Sequence, residues 1–308
     1  MARKLRIQYE GAIYHVINRG NYRRDLFESA GAAQAFEEAL EEACRVSGWR
    51  LHAHVVMRNH FHLAVETPKA NLVEGMHWMQ STFSTRFNRF RQERGHLFQG
   101  RYQALIIEDG AALARVVDYI HLNPVRAGIV TVDQLADFRW SSLRRLVRGP
   151  RPKCWVADDL VLQRGLTDTP EGWRHYLSYL RDLCGDAAAQ KEMGFEEMCQ
   201  GWAIGTAGWR KTMAQAHAQR ALEPGLERAE LADFKHACYQ DVLEQALRGI
   251  GKTAEALGQD RKTEQWKIDL ALELRKSGVP YRWIAEHLSM GSTDSLRGFV
   301  TKRKRELG

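Results

Sequence analysis

The chain has 308 residues, 44% of them hydrophobic, and carries a formal net charge of +7 from 45 Lys and Arg against 38 Asp and Glu. That composition excludes a disordered or fibrous chain and fits one sizeable domain with a smaller one, while the basic excess suits a polyanionic partner. No apolar run approaches the ~18 residues of a membrane span and no apolar signal core follows Met1, so a cytoplasmic protein with no membrane partner is expected.

Ile13 to Arg19 is β-prone and closed by the turn residues Gly20 and Asn21, which makes it a first strand. Arg19, Arg23 and Arg24 gather at its end as candidate phosphate contacts, with a solvated loop as the alternative reading. Ala32 to Val46 places Phe36, Leu40, Ala43 and Cys44 at helical spacing and leaves the acidic Glu37, Glu38, Glu41 and Glu42 for the outer face.

Trp49 to Met57 reads as a second strand, with Arg58-Asn59 as the two-residue turn of a hairpin. In the strand that follows, His60 and His62 share one face and Phe61 points to the other. Two imidazoles on a rigid strand suit a divalent metal, because neutral imidazole is its commonest protein ligand. If Met57 pairs with His60 and Val55 with His62, the similar pair His52 and His54 falls on the face of Phe61 and Leu63, away from those ligands.

Leu72 to Arg94 is a long helix with a core stripe of Met76, Met79, Phe83, Phe87 and Phe90 and an opposite face of Arg86, Arg89, Arg91 and Arg94. Arg101 follows a glycine turn, and with Arg86 and Arg89 it completes an arginine set suited to a nucleic-acid backbone. Tyr102 to Glu108 is a further strand. Gly110 to Leu122 then repeats Leu113, Val116, Val117 and Ile120 at helical spacing, and Pro124 should end that helix. Tyr119 and Asn123, four apart, share one face of it, so a phenolic nucleophile stands beside an amide oxygen that can act as a ligand. A metal catalyst needs such a third anchor and an open position for substrate.

Gly149-Pro150-Arg151-Pro152 marks a linker, and residues 155–250 read as helical, with Trp173, Tyr176, Tyr179 and Leu180 on one apolar face and further helices near Phe195 and Phe234. No chemistry is legible there. Glu264 to Lys276, a turn at Ser277-Gly278-Val279, Tyr281 to Leu288 and a last helix capped by Ser292 look like a helix-turn-helix. Its final helix offers Arg297, Lys302 and Arg303 to DNA; the plainer reading is a solvated basic end. The expected domains are therefore 1–148, catalytic; 149–258, a helical accessory region; and 259–308, DNA-binding. Five dispersed cysteines, Cys44, Cys154, Cys184, Cys199 and Cys238, read as free buried thiols.

The His60-Phe61-His62 strand, the Tyr119 to Asn123 helix, the run Leu97-Phe98-Gln99-Gly100-Arg101-Tyr102 and the later Trp140-Ser141-Ser142 together resemble the HUH single-tyrosine transposases, and more narrowly the REP-associated tyrosine transposases. The likeness spans roughly residues 5–145. It implies a ferredoxin-like HUH domain with an antiparallel sheet; together with the helices read beyond it, the expected fold is α+β, with an all-α C-terminal region that contains the helix-turn-helix. It also implies a Mg²⁺ or Mn²⁺ ion held by His60, His62 and Asn123, where related insertion-sequence enzymes carry a glutamine at the last position. Tyr119 is then the nucleophile of a transposase that cleaves and rejoins single-stranded DNA through a 5′-phosphotyrosine. Its substrates would be hairpins of palindromic REP-like sequence, and it would act as a monomer or homodimer. Two rival readings are a non-catalytic DNA- or RNA-binding regulator that keeps the fold, and a metal-dependent hydrolase in which water attacks.

Overall fold

The computed structural model describes residues 7–217 and 232–307, and the chain divides into two compact units, Arg6–Thr206 and Ala207–Gly308. The first is a mixed α/β unit built on a five-stranded sheet. Strand β1 (Ala12–Arg19) lies at its centre, flanked by β3 (His60–Thr67) and β4 (Gln103–Ile107), both antiparallel to it. Beyond β3 comes β2 (Arg50–Val56), and beyond β4 a two-residue strand, β5 (Ala203–Ile204), pairs in parallel. The spatial order is β2-β3-β1-β4-β5.

The β2–β3 register has Val55 opposite His62 and Val56 opposite Phe61, as the assumed two-residue turn required. A bulge between Leu51 and Ala53 breaks the alternation upstream, and this corrects one expectation. His54 pairs with Leu63 as expected, but His52 reaches the Glu66 carboxylate at 3.3 Å, on the strand face that carries His60 and His62. The outer edge of β2 is closed by later chain: Val56 donates to the Trp140 carbonyl, and Leu51 donates to that of Cys154. An edge so covered cannot pair with another molecule.

Two helices cover the Phe61 face. Helix α1 (Ala30–Ser47) begins where the Ser29 hydroxyl accepts from the Ala32 amide and ends at Gly48 in the left-handed region. Helix α2 (Leu72–Arg91) buries Met76, Met79, Phe83 and Phe87, and Phe36, Phe61 and Phe83 pack ring on ring between helices and sheet. Two residues depart from expectation. Glu37 is buried, not exposed, because the His54 Nε2 sits 2.9 Å from its carboxylate and Arg145 approaches its other oxygen. Phe90 is 79% exposed, since α2 ends one residue later and nothing packs on that side of its last turn.

The opposite face is covered by α3 (Ala111–Arg126), which continues through Pro124 instead of stopping before it. A proline in the last helical turn forfeits one backbone hydrogen bond but leaves the end to be closed by the Ala127 amide, which donates to the Asn123 carbonyl. Against α3 pack α4 (Ser142–Arg148), α5 (Asp158–Gln163), α6 (Pro170–Gly185) and α7 (Ala187–Glu192), and Trp173, Tyr176, Leu180, Phe195 and Met198 share one core with Leu113, Val116 and Ile120. The compact unit therefore runs on to Thr206, past the expected break at residue 148.

A buried polar chain ties these helices down. Tyr176 and Tyr179 donate their hydroxyls to Asp118 at 2.9 and 3.0 Å, Arg164 ion-pairs with the same carboxylate, and His121 bridges the Tyr176 and Ser142 hydroxyls. Burial pushes the Asp118 carboxyl up to about 6 against the pull of Arg164.

The second unit is helical. It contains α8 (Ala207–Ala216), α9 (Ala232–Gly249), α10 (Ala254–Gln259), α11 (Gln265–Lys276), α12 (Tyr281–His287) and α13 (Thr293–Leu307). The Phe234 side chain named above lies outside the described residues. Leu243, Leu257, Leu270, Trp283, Leu288 and Leu296 form a single core, so α9 and α10 pack with the last three helices instead of separating from them near residue 258. Lys267 is fully buried and donates to the carbonyls of Leu257, Asp260 and Leu288. The Ser292 hydroxyl accepts from the Ser295 amide, which is the expected cap of α13.

Candidate active site

Strand alternation and register bring three pairs of side chains to the α3 face of the sheet. Arg19 stands opposite His60, Ile17 opposite His62, and His15 opposite Ala64. His60 and His62 are therefore neighbours, with ring centroids 5.2 Å apart. From the other layer, Tyr119 on α3 places its ring 5.8 Å from that of His62 and 5.9 Å from that of His15. The two histidines and the tyrosine proposed from sequence thus meet. Asn123 lies one turn further along α3, is buried, and its amide donates to the Tyr119 carbonyl at 3.3 Å, which leaves its oxygen without that bond.

The electrostatics favour neutral imidazoles. Burial, and then the charge of Arg19, hold His60 down to about 4; burial also keeps His15 down at about 4 and His62 well below its ordinary value. A neutral imidazole is the form that can ligate a metal. Among the described residues no group of three or more His, Cys, Asp and Glu is placed to hold a metal ion. The donors named from sequence, two imidazoles and the Asn123 amide oxygen, are of the chemical type that would hold a divalent ion with water or substrate oxygen completing the shell. The neutral imidazoles of His60 and His62 fit such an ion in their chemistry.

Tyr119 is not free. Its hydroxyl lies 3.2 Å from the Cys199 sulfur, Phe195 packs edge-on against its ring at 5.5 Å, and the Arg126 guanidinium lies 5.1 Å over that ring. Burial and then Cys199 push the phenol well above its usual value, while Arg126 acts in the opposite sense. Residues 195–199 are themselves pinned to the sheet: His15 contacts the Met198 carbonyl at 2.8 Å and Gln103 donates to the Cys199 carbonyl at 3.0 Å. Cys199 is one of five free cysteines, of which Cys44 and Cys238 are buried and the others half-buried.

The candidate DNA-binding residues divide. Arg19, Arg23, Arg89 and Lys302 make no ion pair among the described residues, and Arg101 is exposed. Arg24 is instead paired with Glu93 at 2.6 Å, Arg86 with Glu42 at 2.9 Å and Arg303 with Asp269 at 2.7 Å, which ties their charges to the protein itself. Arg297 reaches Asp294 at 3.5 Å. Between Arg19 and Arg23 stands Tyr22, 92% exposed and in the left-handed region at φ 51°, followed by Arg23 at φ 59°. Two successive non-glycine residues there carry backbone strain.

Sequence reasoning missed His15, Met198, Cys199 and Tyr22. His15 had a signal, since it occupies an inward position two residues before Ile17 on β1; Cys199 had none, because its place follows from a packing 80 positions away.

The family described as "Transposase IS200 like" matches residues 8–123, which contain both histidines, Tyr119 and Asn123. A provisionally named REP-associated tyrosine transposase of Haemophilus influenzae is 27% identical over 132 residues, 39% of this chain and 74% of that protein. A REP-associated tyrosine transposase of Escherichia coli is 25% identical over 155 residues, 48% of this chain and 86% of that protein. Among solved structures, a REP-associated tyrosine transposase bound to a REP hairpin aligns over 51% of this chain and 92% of its own, at 24% identity and a TM-score of 0.41. The resemblance read from the motifs is therefore borne out: over residues 8–123 this chain is similar to IS200-like transposases. No helix among the described residues is long and apolar enough to cross a membrane.

Proposed function

We propose that this protein is a metal-dependent transposase that cleaves and rejoins single-stranded DNA, with Tyr119 as nucleophile and His60, His62 and Asn123 as the residues that would hold Mg²⁺ or Mn²⁺. The observation that carries this reading is the approach of the Tyr119 ring to within 5.8 Å of the His62 ring from a separate element. The strand order β2-β3-β1-β4, with α1 and α2 on one face, supports a ferredoxin-like HUH domain; α11 to α13 support a helix-turn-helix.

The phenolic oxygen of Tyr119 attacks phosphorus as its proton passes to water, which returns a proton to the departing oxygen. The bond from phosphorus to the 3′ oxygen breaks, and that oxygen takes up a proton to become a free hydroxyl. The DNA remains joined to Tyr119 through its 5′ phosphate, and a 3′-hydroxyl can reverse the step, so no external energy source is needed. A bound divalent cation supplies Lewis-acid stabilisation of the charge on the phosphate oxygens. Arg126 over the Tyr119 ring favours phenolate, whereas Cys199 and burial oppose it, so substrate entry has to displace the thiol contact. Arg19, Arg23, Arg89 and Arg101 would take backbone phosphates, and the exposed Tyr22 ring offers a platform for an unpaired base.

The likeness to REP-associated transposases favours palindromic hairpins as substrates. The test is incubation with a labelled single-stranded hairpin oligonucleotide and Mn²⁺, followed by denaturing electrophoresis. A covalent adduct is expected, lost in Tyr119→Phe while hairpin binding persists. Binding with no adduct under any metal would favour the non-catalytic regulator, and cleavage with no adduct the hydrolase.

A further inference from the structure

His15 lies outside the residues assigned to catalysis above, yet it is fully buried and linked at both ring nitrogens. Its Nδ1 is 2.8 Å from the Met198 carbonyl oxygen and its Nε2 is 2.9 Å from His62 Nδ1. A carbonyl oxygen can only accept, so His15 Nδ1 carries the proton. In a neutral ring the Nε2 is then a bare lone pair, and the short contact to His62 needs a proton from the other side. His62 Nδ1 therefore donates, and His62 Nε2 is left with its lone pair free. We infer that His15 is a positioning residue: a hydrogen-bond chain anchored on the Met198 carbonyl fixes His62 in the tautomer whose Nε2 can ligate a cation.

His60 reaches the same state by an independent route. The Asn59 side-chain amide donates to the Arg23 carbonyl at 3.2 Å, which sets its nitrogen on that side and turns its oxygen to His60 Nδ1 at 2.8 Å. His60 Nδ1 must then donate, and its Nε2 is likewise bare. Two unrelated contacts thus leave the same ring atom available on both histidines, which is the arrangement a shared cation needs. One anchor, Met198, lies outside residues 8–123 and belongs to the segment that also contacts Tyr119. That segment sets the state of both the candidate ligand and the candidate nucleophile.

The chain of contacts rests on the proposed function only for its purpose, and its test needs no DNA. In the metal-free full-length protein labelled with ¹⁵N histidine, long-range ¹H–¹⁵N correlation at pH 7 reads which ring nitrogen bears the proton. His15, His60 and His62 are all expected as the Nδ1–H form. An Nε2–H form at His15 or His62 overturns the inference even if the adduct with Tyr119 is found, and the expected forms uphold it even if no adduct is found. In His15→Phe, Mn²⁺ affinity measured by calorimetry without DNA is expected to fall about 10- to 100-fold, with His62 turned to Nε2–H and His60 unchanged. Unchanged Mn²⁺ affinity in a folded His15→Phe protein contradicts the positioning role. Should that variant fail to fold, the tautomers of the unmodified protein still decide.

Discussion

The sulfur of Cys199 lies 3.2 Å from the hydroxyl of Tyr119, a contact between residues 80 positions apart. On the proposed mechanism the thiol holds the phenol that has to be released for attack, and it adds to the rise that burial gives that phenol. Cys199→Ala is therefore expected to speed adduct formation on the hairpin oligonucleotide by roughly 2- to 10-fold, the range spanned by up to one pKa unit of phenolate population. Single-turnover gels measure it. A rate equal to or below that of the unmodified protein contradicts the restraining role.

Tyr22 is the most exposed large apolar side chain beside the site and stands among arginines. Loss of its ring in Tyr22→Ala is expected to weaken binding of single-stranded DNA by about 1–3 kcal/mol, the value of one base–aromatic stack. Fluorescence anisotropy on single-stranded and fully duplex probes distinguishes stacking from charge. Equal weakening on both probes, or none on either, argues against a base platform.

Asp118 accepts from two tyrosines and pairs with Arg164 in a region with no water access to the carboxylate. Asp118→Ala strands those donors and is expected to cost roughly 2–3 kcal/mol, below the usual range for a buried pair because Arg164 is partly exposed. Hydrogen exchange should show the loss first in α5 and α6. A loss confined to residues 7–148, with α5 and α6 unchanged, would mean that residues 149–206 are not held to the first unit through Asp118.

Stability should fall with acid earlier than carboxylates alone would bring about. His15 and His60 are held down at about 4 and His121 at about 3, from an ordinary value of 6.5. Each is neutral when folded and protonated when unfolded below 6.5, so its contribution is full above that pH and is lost progressively towards 4 and 3. Asp118, pushed up to about 6, works in the other direction: it favours the folded state at low pH and loses that contribution as pH rises from 3.8 through 6. Three groups outweigh one, and the melting temperature is expected to drop by several degrees between pH 7 and 5. A flat or rising profile contradicts these assignments.

Much of this was legible in the sequence where the determinants are local. A two-residue turn fixed the register of Val55 against His62, and strand alternation then paired His60 with His62. Helical spacing put Tyr119 and Asn123 together. What escaped was set by contacts between distant segments. Glu37 is inside because His54 and Arg145 meet it there, and His52 changes partner because of a bulge. The break at Gly149-Pro150 has the composition of a linker, yet the helices beyond it carry the aromatic face that closes over α3. No periodicity announces that Met198 and Cys199 will lie against His15 and Tyr119.

The central claim is that a phenol of this chain becomes covalently joined to DNA. The adduct formed with a hairpin oligonucleotide can be digested with trypsin and nuclease, and the surviving peptide read by mass spectrometry. The account predicts a nucleotide phosphate carried on the phenolic oxygen of Tyr119. A linkage at any other residue, or cleaved DNA with no modified peptide, contradicts it.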